Sequence, residues 1–380
     1  MATVLMVFGT RPEAIKMAPL YLRLMEERGF RLRLCVTGQH REMLDQALSI
    51  FDIEPDYDLR VMRDGQDLIG VTDKILVGIR DVIAEVKPDI VLVHGDTTTC
   101  FATATACFFL GVKVGHVEAG LRTFDLSSPF PEEFNRQATC LVADYHFAPT
   151  QEARINLLNS RVRPENILVT GNTVIDSLQL MLGRVAADPA WSKGLKAGLK
   201  QILGFDHEDS PFVLVTGHRR ENFGGGFLEI CKAIRELATE FVDLKFVYPV
   251  HLNPNVQAPV SQLLGGIENV SLIEPISYES FVLLLDSCLF VLTDSGGIQE
   301  EAPSLGKPVF VMRDVTERPE AVAAGTVKLV GALADQIVEN CRVLISDPRA
   351  YDAMAQASNP FGDGNASERI TSFLKAKLNV

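Results

Sequence analysis

Twice along this chain, short runs of β-branched and aliphatic residues alternate with longer stretches of helical period. The first set reads "TVLMVFG", "RLRLCVTG", "DIVLVHGD", "VKVGHVEAG", "DYHFAPT" and "NILVTGN"; the second reads "PFVLVTGH", "LKFVYPVH", "NVSLIEP", "CLFVLTDSGG", "KPVFVMRD" and "TVKLVG". Strands that are apolar throughout have both faces covered, which is the signature of a parallel sheet flanked by crossover helices. The pattern predicts two doubly wound, Rossmann-like α/β domains, since 380 residues exceed what one core usually serves. A polar, Trp-containing stretch near 184–210 lies between the sets. The expected division is near residue 172, giving domains 1–172 and 173–365. The tail "ASERITSFLKAKLN" has helical spacing and is expected to join the first domain as helix 366–380.

A formal charge of −13 argues against nucleic acid or an anionic membrane surface as a partner. Cations nevertheless cluster locally, as Arg11 with Lys16, as His218-Arg219-Arg220, and as Arg313 with Arg318, so an anionic small molecule fits. Seven cysteines without a CxxC pair read as reduced, packed thiols and not as a disulfide frame or zinc site. No apolar run reaches the roughly 18 residues that span a bilayer, and no basic leader precedes the first strand. The expectation is a soluble cytoplasmic protein. Met6, Met17 and Met43 read as core filler.

In doubly wound sheets, ligands bind beyond the carboxyl ends of the strands. Asp96 follows "VLVHG", Glu118 follows "VGHV", His218 follows "VLVTG", His251 follows "VYPV", and Ser295-Gly296-Gly297 follows "VLTD". Asp96 and Glu118 should top neighbouring strands, where paired carboxylates serve acid/base chemistry. Asp96 is equally placed to cap the helix "TTTCFATATA". Glu132 and Glu133 stand in the first turn after Pro131, where acids offset a helix dipole, with Arg136 in reach of either. "FGTRPEAIK" delivers a strand into a helix N-terminus with Pro12 expected at the first helical position, an anion site by its orphan N–H groups, yet it is neither a P-loop nor GxGxxG. "TGHRREN" gathers three successive donors before a glycine-rich turn. In "TDSGGIQEEAP", the glycines present backbone amides to a phosphate, while Glu301 can accept from vicinal ribose hydroxyls. Phe281, in "IEPISYESF", can hold a base by apolar contact.

Taken together, "FGTRPEAIKMAPL", "TGQHREMLDQ", "VHGDTTT", "GHVEAGLRT", "PFPEEFNR", "TGNTVIDSL", "TGHRRENFG", "YPVHLNPNV", "LTDSGGIQEEAPSLGKPV", "RDVTERPEAV" and "NPFGDGNAS" resemble the non-hydrolysing bacterial UDP-N-acetylglucosamine 2-epimerases. The likeness runs over essentially the whole chain in unbroken order. It implies GT-B architecture, with two Rossmann-like domains facing across a cleft, a homodimer, and interconversion of UDP-GlcNAc and UDP-ManNAc for cell-surface polysaccharide. It implies catalytic roles for Asp96, Glu118, Glu132 and His218. Substrate contacts are implied for Arg11, Lys16, Ser295, Gly296, Gly297, Glu301 and Arg318, with Ile276 and Phe281 near uracil; Arg136 and Arg219 are available beside them. Arg11 and Lys16 would reach the diphosphate from across the cleft, and Gly9 would let the nucleotide approach. Some relatives bind a second UDP-GlcNAc as activator through a glutamine and an arginine. Gln39, His40 and His251 remain available for such a site, but Glu42 and Gly65 stand at those two positions here, so weak or absent activation is expected. No metal site or nicotinamide fingerprint is present, and neither cofactor is expected. A GT-B glycosyltransferase, a hydrolysing epimerase and a non-catalytic sugar-nucleotide sensor are the alternative readings.

Overall fold

A computed structural model describes residues 1–380 apart from 39–40, 63–64 and 220–221 and the side chains of 41 and 42. In chain order the elements of the first part are β1 (Ala2–Phe8), α1 (Arg11–Glu26), β2 (Phe30–Val36), α2 (Arg41–Ile50), β3 (Tyr57–Asp58), α3 (Leu68–Val86), β4 (Ile90–His94), α4 (Thr98–Leu110), β5 (Lys113–Val117), α5 (Glu132–Val142), β6 (Tyr145–Ala148), α6 (Gln151–Asn159), β7 (Ile167–Val169) and α7 (Thr173–Ala187). There follow α8 (Pro189–Leu203), β8 (Phe212–Thr216), α9 (Gly225–Glu240), β9 (Lys245–Pro249), α10 (Pro254–Leu264), β10 (Val270–Ile273), α11 (Tyr278–Ser287), β11 (Phe290–Thr293), α12 (Ile298–Ser304), β12 (Val309–Val311), α13 (Pro319–Ala324), β13 (Val327–Leu329), α14 (Ala334–Ser346), α15 (Pro348–Ala355) and α16 (Ala366–Leu378). All twelve apolar runs read from the sequence form strands. The strand not foreseen is β3, two residues in the polar stretch "EPDYDLR", which has no period to read.

The chain folds as two compact units, Met1–Ser177 with Phe361–Val380, and Leu178–Pro360. The changeover falls inside α7. The Ser177 hydroxyl donates to the Ile15 carbonyl at 2.6 Å, and Asp176 accepts the amides of Ala366 and Ser367 at 3.2 and 2.7 Å. The first turn of α7 is thereby tied to α1 and α16.

Among the described residues, the first unit holds a seven-stranded sheet in the order β3-β2-β1-β4-β5-β6-β7, and the second a six-stranded sheet in the order β10-β9-β8-β11-β12-β13. Every pairing is parallel. Val4 to Phe8 and Ile90 to Val93 are fully buried, as strands covered by helices on both faces must be. Strand order reverses between β1 and β4 in the first sheet and between β8 and β11 in the second. The loops leaving these strands diverge to opposite faces and open a crevice at the carboxyl ends. Met6 and Met17 lie in the core as expected, but Met43 is exposed, because α2 turns that face outward. All seven cysteines are buried and unbridged. No helix of the described residues is long and apolar enough to cross a membrane.

Candidate active site

The loop after β1 is built around one buried carboxylate. Thr10 caps α1, and Glu13 reaches back to complete a capping box, its Oε2 accepting the amides of Gly9 at 3.0 Å and Thr10 at 2.8 Å and the Thr10 hydroxyl at 2.8 Å. The Thr97 hydroxyl donates to its Oε1 at 2.7 Å, which staples this loop to the one after β4 across the switch point. Burial raises the Glu13 pKa, and these hydrogen bonds oppose the rise. Gly9 has a packing requirement of its own: a Cβ there would lie 2.0 Å from Thr37 Oγ1 and 2.6 Å from Thr99 Oγ1 under the loop. Arg11 opens α1 half-buried, and its guanidinium has no partner among the described residues.

Beyond β4 and β5 two carboxylates meet cations. Asp96 does not cap α4; Thr97 does, accepting the Cys100 amide at 3.1 Å. That leaves the Asp96 carboxylate to pair with Arg136 at 2.6 Å, while Asn135 holds its backbone carbonyl at 2.8 Å. Glu118 has a φ of +61°, a left-handed conformation that costs a residue with a Cβ of order 1–2 kcal/mol. Its Oε2 accepts from Lys16 Nζ at 2.5 Å and Asn172 Nδ2 at 2.7 Å, with His94 Nε2 at 3.8 Å. Burial pulls the His94 pKa down to about 4, more than the neighbouring Glu118 raises it, so this imidazole is neutral at pH 7.

The adjacent acids of α5 divide their roles. Glu133 is fully buried and accepts from Gln137 at 2.8 Å and from the amides of Thr123 and Phe124 at 3.0 and 3.2 Å, with Arg136 at 3.4 Å. Burial alone would raise its pKa, but these donors outweigh it and the net shift is downward. It organises the loop before α5. Glu132, half-buried at the start of the helix, has no partner among the described residues.

In the second unit the organising group is Asp294, at the end of β11. It is wholly buried and accepts the amides of His218 and Arg219, each at 2.9 Å, so it fixes the loop leaving β8. The His218 ring lies with Nδ1 3.7 Å from Asp294 and stacks on His251 at 5.3 Å between centroids, 14° from parallel. Burial lowers the His218 pKa, Asp294 opposes that, and His251 and Arg219 reinforce it. The Ser295 amide is taken by Thr293 Oγ1 at 2.9 Å, so it is not an open donor. Gly296 and Gly297, by contrast, have no protein acceptor for their amides among the described residues. Arg318 is fixed by Glu300, which grips its Nε, and by Thr316 Oγ1, which accepts its amide at 3.0 Å. Glu301 is buried one turn into α12.

Thus Lys16, Asp96, Glu118 and Arg136 gather in the first unit as two ion pairs, and His218, Arg219, Gly296, Gly297 and Arg318 share the switch point of the second. Ile276 and Phe281 are half-buried after the edge strand β10. His251 stacks on His218. Gln39, His40 and Arg220 lie outside the described residues, as does the side chain of Glu42. Sequence reasoning missed Glu13, Asn172, Asp294 and Glu300. The available signal was an acid or amide at a strand end or first helical turn, which by itself looks like a cap. Among the described residues no group of three or more His, Cys, Asp or Glu is placed to hold a metal ion.

Two doubly wound units in one chain, each with its polar residues at a switch point, have the fold of the GT-B class. The sequence model of the UDP-N-acetylglucosamine 2-epimerase family matches residues 22–375. The UDP-N-acetylglucosamine 2-epimerase of Escherichia coli (strain K12) is 55% identical over 372 residues, 98% of either chain. The crystal structure of UDP-GlcNAc 2-epimerase from Neisseria meningitidis bound to UDP-GlcNAc superposes with a TM-score of 0.91 at 50% identity, covering 98% of this chain and all of that one. The S. aureus MnaA-UDP co-structure gives 0.88 at 47% identity, covering 100% of this chain and 97% of that one. The chain belongs to the UDP-N-acetylglucosamine 2-epimerase family, and its class of activity is isomerase.

Proposed function

We propose that the protein interconverts UDP-GlcNAc and UDP-ManNAc by elimination and readdition of UDP, without releasing free sugar. What carries this reading is the pair of carboxylates at the ends of the adjacent strands β4 and β5, each held against a cation, in a chain more than half identical to a named epimerase. The hydrogen at carbon 2 is not acidified by a carbonyl, so direct deprotonation is too slow. Departure of UDP places a developing oxocarbenium ion next to it, and a carboxylate then suffices as base. Asp96, Glu118 and Glu132 are the acid/base candidates. Arg11, Lys16, His218, Arg219, Arg318 and the amides of Gly296 and Gly297 stabilise charge on the leaving diphosphate. Glu301 takes the ribose hydroxyls, while Ile276 and Phe281 hold uracil. Readdition of UDP to the glycal, with protonation on the other face, gives the epimer. The route has no redox step. A nucleotide-sugar substrate and seven reduced thiols fit the cytoplasm, and the exposed apolar side chains Phe108, Phe109 and Leu141 on the neighbouring helices α4 and α5 suit a homodimer, so sedimentation at dimer mass is expected and a monomer at micromolar concentration would refute it.

In D₂O, with UDP-GlcNAc as sole substrate, deuterium is expected at carbon 2 of UDP-ManNAc, because the abstracted hydrogen resides on a carboxyl group that exchanges with solvent. NMR at low conversion reads it. Retention of the original hydrogen would exclude elimination, and stoichiometric free ManNAc would assign the protein to hydrolysing chemistry.

A further inference from the structure

The loop after β12 carries a carboxylate for which the proposed chemistry has no use. Glu317 lies among three guanidinium groups, its Oε2 3.6 Å from Arg219 and 4.0 Å from Arg318, its Oε1 3.9 Å from Arg313. These separations are long beside the roughly 2.7–2.9 Å of a charge-assisted hydrogen bond. The side chains of Arg313 and Arg318 are only 5% and 8% exposed, and positive charge at that depth needs counter-ions; Glu300 holds Arg318 Nε, and Glu317 faces the Nη groups of all three arginines. The same carboxylate borders Gly296. A Cβ built on Gly296 would lie 3.7 Å from Glu317 Oε2, 3.7 Å from Arg219 Nη2 and 3.9 Å from Arg318 Nη2. An anion arriving at Gly296 therefore meets two guanidiniums and a carboxylate together.

We infer that Glu317 is a displaceable anion that offsets part of the positive charge of Arg219, Arg313 and Arg318 in the ligand-free protein and lowers affinity for the diphosphate competing for them. This rests on the reading that the second unit binds UDP. An internal anion of this kind limits how long the nucleotide is retained, so a sugar nucleotide leaves after inversion instead of saturating the site.

The test is calorimetric titration of UDP into the full-length protein and into Glu317→Gln, which keeps the shape of the side chain and removes its charge. The wild type is expected to bind UDP, and the variant to bind it about tenfold more tightly, since a like charge within a few ångströms of the ligand is gone. The variant should also melt lower without ligand and gain more in melting temperature from saturating UDP, because the nucleotide restores the missing counter-ion. Glu317→Ala removes the same charge and must satisfy the same criterion if the glutamine variant does not fold. A wild type that fails to bind UDP would overturn the underlying reading. A wild type that binds, with variants that bind no tighter, would overturn the role of Glu317.

Discussion

Asp96→Asn and Glu118→Gln are each expected to lower kcat at least about 100-fold, because a positioned general acid or base contributes roughly 10²–10⁴. Both substitutions keep the hydrogen-bonding shape of the side chain while removing the carboxylate that can take up or return a proton. Asp96 pairs with Arg136 at 2.6 Å, and an amide oxygen can still accept from that guanidinium. Glu118 accepts from Lys16 and Asn172 on one oxygen, which a glutamine also supplies. The backbone cost of Glu118, its φ of +61°, is borne equally by the variant. The loss should therefore fall on turnover and not on folding, with an unchanged circular dichroism spectrum alongside the collapsed rate. Near-wild-type turnover in either variant would remove that residue from the proton transfers.

Gly120→Ala is expected to destabilise the protein by about 2–5 kcal/mol, the left-handed conformation costing roughly 1–2 kcal/mol and the overpacking roughly 1–3. Gly120 has a φ of +94°, and a Cβ there would lie 2.3 Å from the Ala153 carbonyl oxygen and 2.9 Å from its carbon, atoms of the α6 backbone that cannot rotate away. The strain falls two residues from Glu118, so what remains folded should also lose activity. Gly183→Ala is the control: it lies in α7 with open space around the added carbon, and alanine there should be neutral or favourable. Urea unfolding of both variants measures the difference, and equal stability of Gly120→Ala and wild type would contradict the clash.

Alternation of apolar runs with helical stretches determined two parallel α/β units, because strands covered on both faces have few other solutions. It also located Asp96, Glu118, His218 and Ser295-Gly296-Gly297, since a strand end is legible wherever an apolar run stops at a glycine or an acid. What the sequence could not assign was the task of each polar residue at those ends, for Asp96, Thr97, Glu132 and Glu133 all carry the same local signature of a helix start. Tertiary structure decided among them. Thr97 took the cap and freed Asp96 for Arg136, while Glu133 was buried beneath the loop at 123–124 and Glu132 was left at the helix start. Likewise Asp294 reads as one more acid in "TDSGG", and only the adjacency of β8 and β11 brings it under the amides of His218 and Arg219. Strand order is set by which crossover packs on which face, a choice among long-range contacts that no local pattern encodes, so the partners of buried charges emerge only when the sheets close.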